Sequence, residues 1–216
     1  MKAIILAGGR GKRLRPITDK IPKPLILINN LPLIERTIKY LKKYGINEII
    51  ISSGYKSNKI ESFLKKKKNF GCQIIFSIEK TPLGTGGAIK KALKHVGEES
   101  FLVLNGDVVT NINLRKILKK PNTIAANELK TKFGTMHIKN NKILKFNEKK
   151  DVVDIWMNPG IYHLSKNIDK MIPKRGSLEG IVFPKMAKNK TLDVVKFKNT
   201  LWFSIDSHKD IEECSK

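Results

Sequence analysis

Apolar residues come in short blocks whose character changes about midway along the chain. Lys2 to Leu6 is an apolar run that ends at Gly8-Gly9, the pattern of a buried strand entering a loop. Behind Pro32, the residues Leu33, Ile34, Ile38, Leu41 and Tyr44 recur at helical spacing and stop at Gly45. Ile49-Ile50-Ile51 predicts a second strand, Ile60, Phe63 and Leu64 a second helix, and Ile74-Ile75-Phe76 a third strand. Ala88, Ile89, Ala92, Leu93 and Val96 form another helical stripe before the strand Phe101 to Leu104. This alternation predicts a mostly parallel sheet with helices on both faces. From about residue 122 the segments turn strand-like: Thr123 to Ala126, Thr135 to Ile138, Ile143 to Phe146, Ile161 to Leu164, Leu192 to Phe197 and Leu201 to Ile205. Asn140-Asn141 suits a hairpin turn. With no linker, repeat or low-complexity segment, the expectation is one α/β domain over 1–216, with an α/β half (1–121) and a strand-rich half (122–216) around one mixed, mostly parallel sheet.

Composition narrows the classes. The 216 residues can bury a core without staples, and no apolar run approaches the ~20 residues of a membrane span, so membrane insertion is not expected. The first apolar run reaches glycine too soon for a signal peptide, and Cys72 and Cys214 lack metal or redox spacing. Both are read as reduced thiols of a cytoplasmic protein. The charge is unusual: 43 Lys+Arg against 19 Asp+Glu give +24. Lysines run through nearly every segment, however, and the densest cluster, Lys65 to Lys68, falls where a helix should end and has no interleaved aromatics. A solvated, lysine-biased surface is therefore expected over a specific nucleic-acid site. Arginine is used sparingly, at six positions, and Arg10, Arg13 and Arg15 share one Gly-rich loop. Arginine's rigid fork of donors suits phosphate, which marks that loop as a candidate anion cradle.

The loop reads Leu6-Ala7-Gly8-Gly9-Arg10-Gly11-Lys12-Arg13-Leu14-Arg15-Pro16, with Pro22-Lys23-Pro24 after it. Glycines behind a buried first strand let backbone N–H groups approach an anion unobstructed. It is neither a P-loop, since no Ser or Thr follows Lys12, nor a dinucleotide fingerprint, since Leu14 stands where a third glycine belongs. A second glycine cluster, Leu83-Gly84-Thr85-Gly86-Gly87, opens a helical stripe. Leu104-Asn105-Gly106-Asp107 ends the fourth strand, and ligands in open α/β sheets gather beyond the carboxyl ends of strands. The histidines His95, His137, His163 and His208 have no metal spacing and are read as structural.

The first loop with its Pro-Lys-Pro element resembles the sugar nucleotidyltransferase family, which contains glucose-1-phosphate thymidylyltransferases and mannose-1-phosphate guanylyltransferases. The resemblance continues at intervals to the C-terminus. It implies a Rossmann-like three-layer fold with a nucleotide-binding half and a sugar-phosphate-binding half, and a magnesium-dependent transfer of NMP from an NTP to a sugar 1-phosphate. It also implies a nucleotide cradle of Leu6, Ala7, Gly8, Gly9 and Gly11, with Arg13 on the NTP phosphates and Lys23 on the reacting ones. Leu83, Gly84, Thr85 and Gly86 would read the base, beside Gly106. Asp107 would hold the metal and act with Arg13 and Lys23 in catalysis. On the substrate side, the resemblance implies Gly134, Glu148, Lys149, Asn158, Gly160 and Glu179. No base is needed, because a sugar phosphate is largely a dianion above its second pKa of about 6.

One element departs from the family pattern. The family ends with Trp-x-Asp-Ile-Gly, whereas this chain reads Trp202-Phe203-Ser204-Ile205-Asp206. Ser204 occupies the expected position of the second metal ligand, and Asp206 is the expected replacement. The Asp206 register also fits cytidylyltransferases of phospho-alcohols (phosphocholine or inositol phosphate), and Ser204 fits a catalytically silent nucleotide-sugar sensor. Those alternatives stand open, as do the base among GTP, UTP, dTTP and CTP and a possible homodimer.

Overall fold

Side chains alternate along the first strand, and this alternation sorts the interior into two layers. The computed structural model describes residues 1–97, 100–129, 131, 134–148 and 155–216. In β1 (Lys2–Ala7), Ala3 and Ile5 face one helical layer while Ile4 faces the other. The first layer holds α1 (Leu33–Lys43), whose Ile34, Ile38 and Leu41 are fully buried. It follows with β2 (Glu48–Ser53) and α2 (Ser57–Lys66), which contributes Ile60 and Leu64. After β3 (Gln73–Ile78), α3 (Gly84–Ala92) crosses to the opposite face, and β4 (Ser100–Asn105) returns beside β1. Each buried Ile or Leu contributes about 1.5–3 kcal/mol, so these two layers dominate stability.

The second half adds β5 (Thr123–Glu128), β6 (Trp156–Met157), β7 (Ile161–Ser165), α4 (Leu178–Lys188), β8 (Asp193–Phe197) and α5 (His208–Cys214). β7 inserts antiparallel between β4 and β5, and β8 runs parallel to β5 on its far side. The result is an eight-stranded mixed sheet, parallel from β3 through β2 and β1 to β4, that takes strands from both halves of the chain. α4 packs beside α3, where Leu178, Val182, Phe183 and Met186 close the second layer. The fold is a Rossmann-like α/β sandwich, and no helix of the described residues is long and apolar enough to cross a membrane.

In the second half one helix lies outside the predicted elements and one predicted strand needs correction. The segment around Glu179, for which no element is predicted, is the eleven-residue helix α4, Gly180 and Pro184 notwithstanding. Burial of one face outweighs the backbone hydrogen bond that Pro184 cannot make. The strand at the C-terminus is short, Trp202–Ser204, and a capped helix follows it. The hairpin was read correctly: Thr135–Lys139 pairs with Lys142–Asn147 across Asn140-Asn141, both at positive φ.

Candidate active site

A third, smaller apolar cluster decides where the charged groups go. Leu14 of the glycine loop, Ile26 just after Lys23, Leu33 of α1 and Ile205 beside Asp206 are all buried together. Three segments that are distant in sequence are thereby pinned at the carboxyl end of β1. The loop turns at Gly11, whose φ of 60° is unfavourable for a residue with Cβ, and Thr18 donates to its carbonyl at 2.9 Å. Gly106 N–H donates to Leu6 O at 2.9 Å, and a Cβ there would lie 2.6 Å from the same oxygen. That close approach seats Asp107 directly over β1.

Asp206 arrives by a different route. Val108–Thr110 pairs antiparallel with Trp202–Ser204, Ser204 lying opposite Val108. One step further, Ile205 N–H donates to Asp107 O at 3.0 Å, which brings residue 206 beside residue 107. Ser207 and Asp210 then form a reciprocal cap on α5, and Asp210 Oδ2 also accepts from Asp206 N–H.

The polar side chains converge on one cation. Lys23 Nζ donates to Asp107 Oδ2 at 2.6 Å and to Asp206 Oδ1 at 3.0 Å, with only 11% of its side chain exposed. Arg13 donates to the same Asp206 oxygen at 2.8 Å from a largely exposed position. Ser204 Oγ donates to Asp206 Oδ2 at 2.8 Å. Burial by itself would raise the Asp206 carboxyl, but the hydrogen bonds from Ser204 and Lys23 and the charges of Lys23 and Arg13 outweigh it and hold it low. Asp206, not Ser204, therefore presents the carboxylate that meets Asp107, and Ser204 supports it.

Arg13, Lys23, Asp107 and Asp206 line a cavity of about 220 Å³ together with Leu6, Ala7, Gly9, Gly11 and Gly106. It adjoins a second cavity of about 300 Å³ lined by Gly8, Glu79, Gly84, Thr85 and Asn105, and the two share Leu6, Gly9 and Asp107. The arrangement is a cleft with a cationic, carboxylate-bearing end and a glycine-lined end.

A model of the nucleotidyl transferase family matches residues 2–216. The chain belongs to the nucleotidyl transferase family. It is 39% identical over 176 residues to a D-glycero-alpha-D-manno-heptose 1-phosphate guanylyltransferase of Aneurinibacillus thermoaerophilus, covering 78% of this chain and 76% of that protein. The protein of the same description from Campylobacter jejuni is 42% identical over 173 residues, covering 78% and 77%. Among solved structures, HddC of Yersinia pseudotuberculosis, complexed with GMP-PN, is 29% identical with a TM-score of 0.76, covering 99% of this chain and 97% of that one.

Within this family fold, the remaining predicted residues fall into separate groups. Gly84 and Thr85 line the second cavity, but Gly86 and Leu83 do not. Gly86 N–H is spent on Gly176 O at 2.9 Å, and Leu83 exchanges hydrogen bonds with Glu79 and Gly176. Asn158, Tyr162 and Glu179 form a chain: Asn158 donates to the Tyr162 hydroxyl at 2.9 Å, and Tyr162 donates to Glu179 Oε1 at 3.1 Å. Burial, then the Glu179 charge, pushes the Tyr162 hydroxyl up, so it stays a donor. Glu179 also accepts from Thr85, which ties this chain to the second cavity. Gly160 N–H donates to Asn158 Oδ1. Gly134 and Glu148 meet each other at the foot of the hairpin and line neither cavity, while Lys149 lies outside the described residues.

The three arginines of the glycine loop take different partners. Arg13 faces the carboxylates, whereas Arg10 stacks over Tyr55 and Arg15 pairs with Asp19 at 3.1 Å. Sequence reasoning missed Glu79, whose Oε2 accepts from Leu83 N–H at 2.9 Å beside the second cavity. It directly follows the last residue of β3, so the strand-end rule that selected Asp107 would have found it.

Proposed function

We propose that this protein transfers GMP from GTP to a hexose or heptose 1-phosphate, releasing pyrophosphate and requiring magnesium. The observation that carries the reading is the meeting of Arg13, Lys23, Asp107 and Asp206 around a cavity that opens into a glycine-lined one. The names of the guanylyltransferase relatives support the choice of GTP and of a sugar 1-phosphate. Glu79 supports it chemically. A carboxylate is acceptor-only, and guanine alone among the common bases offers two adjacent donors, N1–H and the 2-amino group.

In the reaction proposed, a phosphate oxygen of the sugar phosphate attacks the α-phosphorus of the NTP. A new P–O bond forms as the bond to the bridging α–β oxygen breaks, and pyrophosphate leaves with that electron pair. Charge gathers on the phosphate oxygens, and Arg13 and Lys23 supply fixed positive groups at the cavity that would receive them. Asp107 and Asp206 fit a magnesium site. Both already share one cation, the Lys23 ammonium, and magnesium is commonly held by one or two carboxylates with substrate phosphate and water completing the shell. When bound, magnesium supplies further neutralisation of the phosphate oxygens. Lys23 balances the two carboxylates before substrate enters and turns to phosphate oxygens afterwards. Thr85, Glu179, Tyr162 and Asn158 orient the sugar end.

A matrix of GTP, CTP, UTP, dTTP and ATP against mannose 1-phosphate, heptose 1-phosphate, glucose 1-phosphate and phosphocholine, read by pyrophosphate release, tests the reading. Release with GTP and a sugar 1-phosphate is expected. Release confined to CTP and phosphocholine, or none in any pair with magnesium present, overturns it.

A further inference from the structure

The backbone at residue 206 is fixed before its side chain is. Ile205 is fully buried and its N–H donates to Asp107 O at 3.0 Å, while Asp206 N–H donates to Asp210 Oδ2 at 3.0 Å. With both amides held, the Asp206 carboxylate keeps only the rotation about its own side-chain bonds. Ser204 removes that freedom. It ends the strand Trp202–Ser204, and its Oγ donates to Asp206 Oδ2 at 2.8 Å. The two carboxylate oxygens thereby take different partners. Oδ2 is held by the hydroxyl, whereas Oδ1 accepts from Lys23 at 3.0 Å and from Arg13 at 2.8 Å. Only Oδ1 is turned to the cations. Serine here is also the chain's departure from the family pattern, which carries its acid at the position of Ser204 and glycine at that of Asp206.

We propose that Ser204 is a positioning residue that sets which divalent cation the site accepts: by holding Asp206 Oδ2 it confines the carboxylate to ligation through one oxygen and so favours magnesium over calcium. This role rests on the paired-carboxylate metal site proposed above and not on the transfer step. Magnesium is small and demands a near-ideal octahedron, into which the narrow bite of a bidentate carboxylate does not fit. Calcium accepts ~6–8 oxygens in a flexible geometry, bidentate carboxylates among them. A carboxylate free to turn both oxygens toward the cavity therefore suits the larger ion, and a hydroxyl bound to one oxygen takes that option away. Lys23 and Arg13 do not discriminate in this way, because both bind the oxygen that faces the cation. A group that supports a ligand without touching the metal typically changes metal affinity by about 10–100-fold.

Cation binding is measured without substrate, which separates it from transfer. The probes are magnesium chloride and calcium chloride, with potassium chloride of matched ionic strength as control, and the readouts are titration calorimetry and the thermal midpoint. Wild type is expected to bind magnesium more tightly than calcium. Ser204→Ala is expected to lose magnesium affinity on the order of tenfold while calcium affinity holds or rises, so that the preference falls by at least that factor. Ser204→Thr, which keeps the hydroxyl, is expected to keep the wild-type preference. Ser204→Val, of the same shape as threonine without the hydroxyl, is expected to behave as Ser204→Ala. An unchanged preference in Ser204→Ala, equal loss in Ser204→Thr and Ser204→Val, or a wild type that prefers calcium or binds neither cation overturns the role. If Ser204→Ala does not fold, the threonine and valine variants decide alone. A protein that shows these preferences yet releases no pyrophosphate with any NTP and sugar phosphate fails only the transferase reading.

Discussion

Lys23 is the residue on which the candidate site balances. Its ammonium, mostly buried, stands between two carboxylates that would otherwise face each other. Lys23→Met should therefore cost about 2 kcal/mol, or roughly 4–8 °C in thermal midpoint, when EDTA is present. Magnesium should restore much of that loss while shifting wild type less. Thermal unfolding of both proteins with and without magnesium checks this; equal magnesium responses would count against a metal shared by Asp107 and Asp206. Glu79 carries the prediction for the base. Glu79→Gln replaces one acceptor by a donor, so preference for GTP over the other NTPs should fall by roughly tenfold or more. Ratios of kcat/KM across the NTPs measure it, and an unchanged ratio would remove Glu79 from base selection.

At the scale of elements, backbone contacts set the precision of the site. The turn that follows β4 rests on β1 through the Gly106–Leu6 hydrogen bond, with no room for a Cβ. Gly106→Ala should push Asp107 off its position and lower turnover on the order of 10²-fold in a protein that still melts cooperatively, the scale expected of a misplacement near 1 Å. β7 supplies a second test. His163 is 2% exposed, its Nδ1 lies 3.3 Å from Ile117 O, and its Nε2 has no partner. Burial lowers its pKa from 6.5, outweighing the opposing pull of the nearby backbone of Ile117 and Lys120. The unfolded chain thus takes up this proton first, so stability should drop as pH falls below about 6.5 toward the depressed folded value. His163→Gln should flatten that part of the thermal midpoint curve.

For the whole molecule the question is what the charge of +24 does. Lysines occupy the last turn of α1, α2, α3 and α4, as Lys42-Lys43, Lys65-Lys66, Lys90-Lys91 and Lys185 with Lys188. There they oppose the negative ends of the helix dipoles. A charge distributed over helix ends, with no stacking platform, gives weak and steeply salt-dependent attraction to nucleic acid. Anisotropy titrations with a DNA duplex should show binding at low salt that vanishes near ~0.15 M. Saturable, sequence-dependent binding at that salt would assign the charge a partner.

Local chemistry was enough to read the alternating α/β half, the glycine loop, the turn at Asn140-Asn141 and the candidacy of Arg13 and Asp107, whereas Lys23 was singled out by the family resemblance. Strand periodicity, helix periodicity and turn propensity are properties of neighbouring residues, and they survive into the fold. The other decisions belong to contacts between distant residues. Lys23 meets Asp107 across 84 positions, and Arg13 meets Asp206 across 193. Only the pairing of Val108–Thr110 with Trp202–Ser204 selects Asp206 over Ser204 as the carboxylate beside Asp107. Likewise, Gly86 is consumed by Gly176 and α4 forms despite its breakers, because packing partners outweigh local preference wherever burial is at stake.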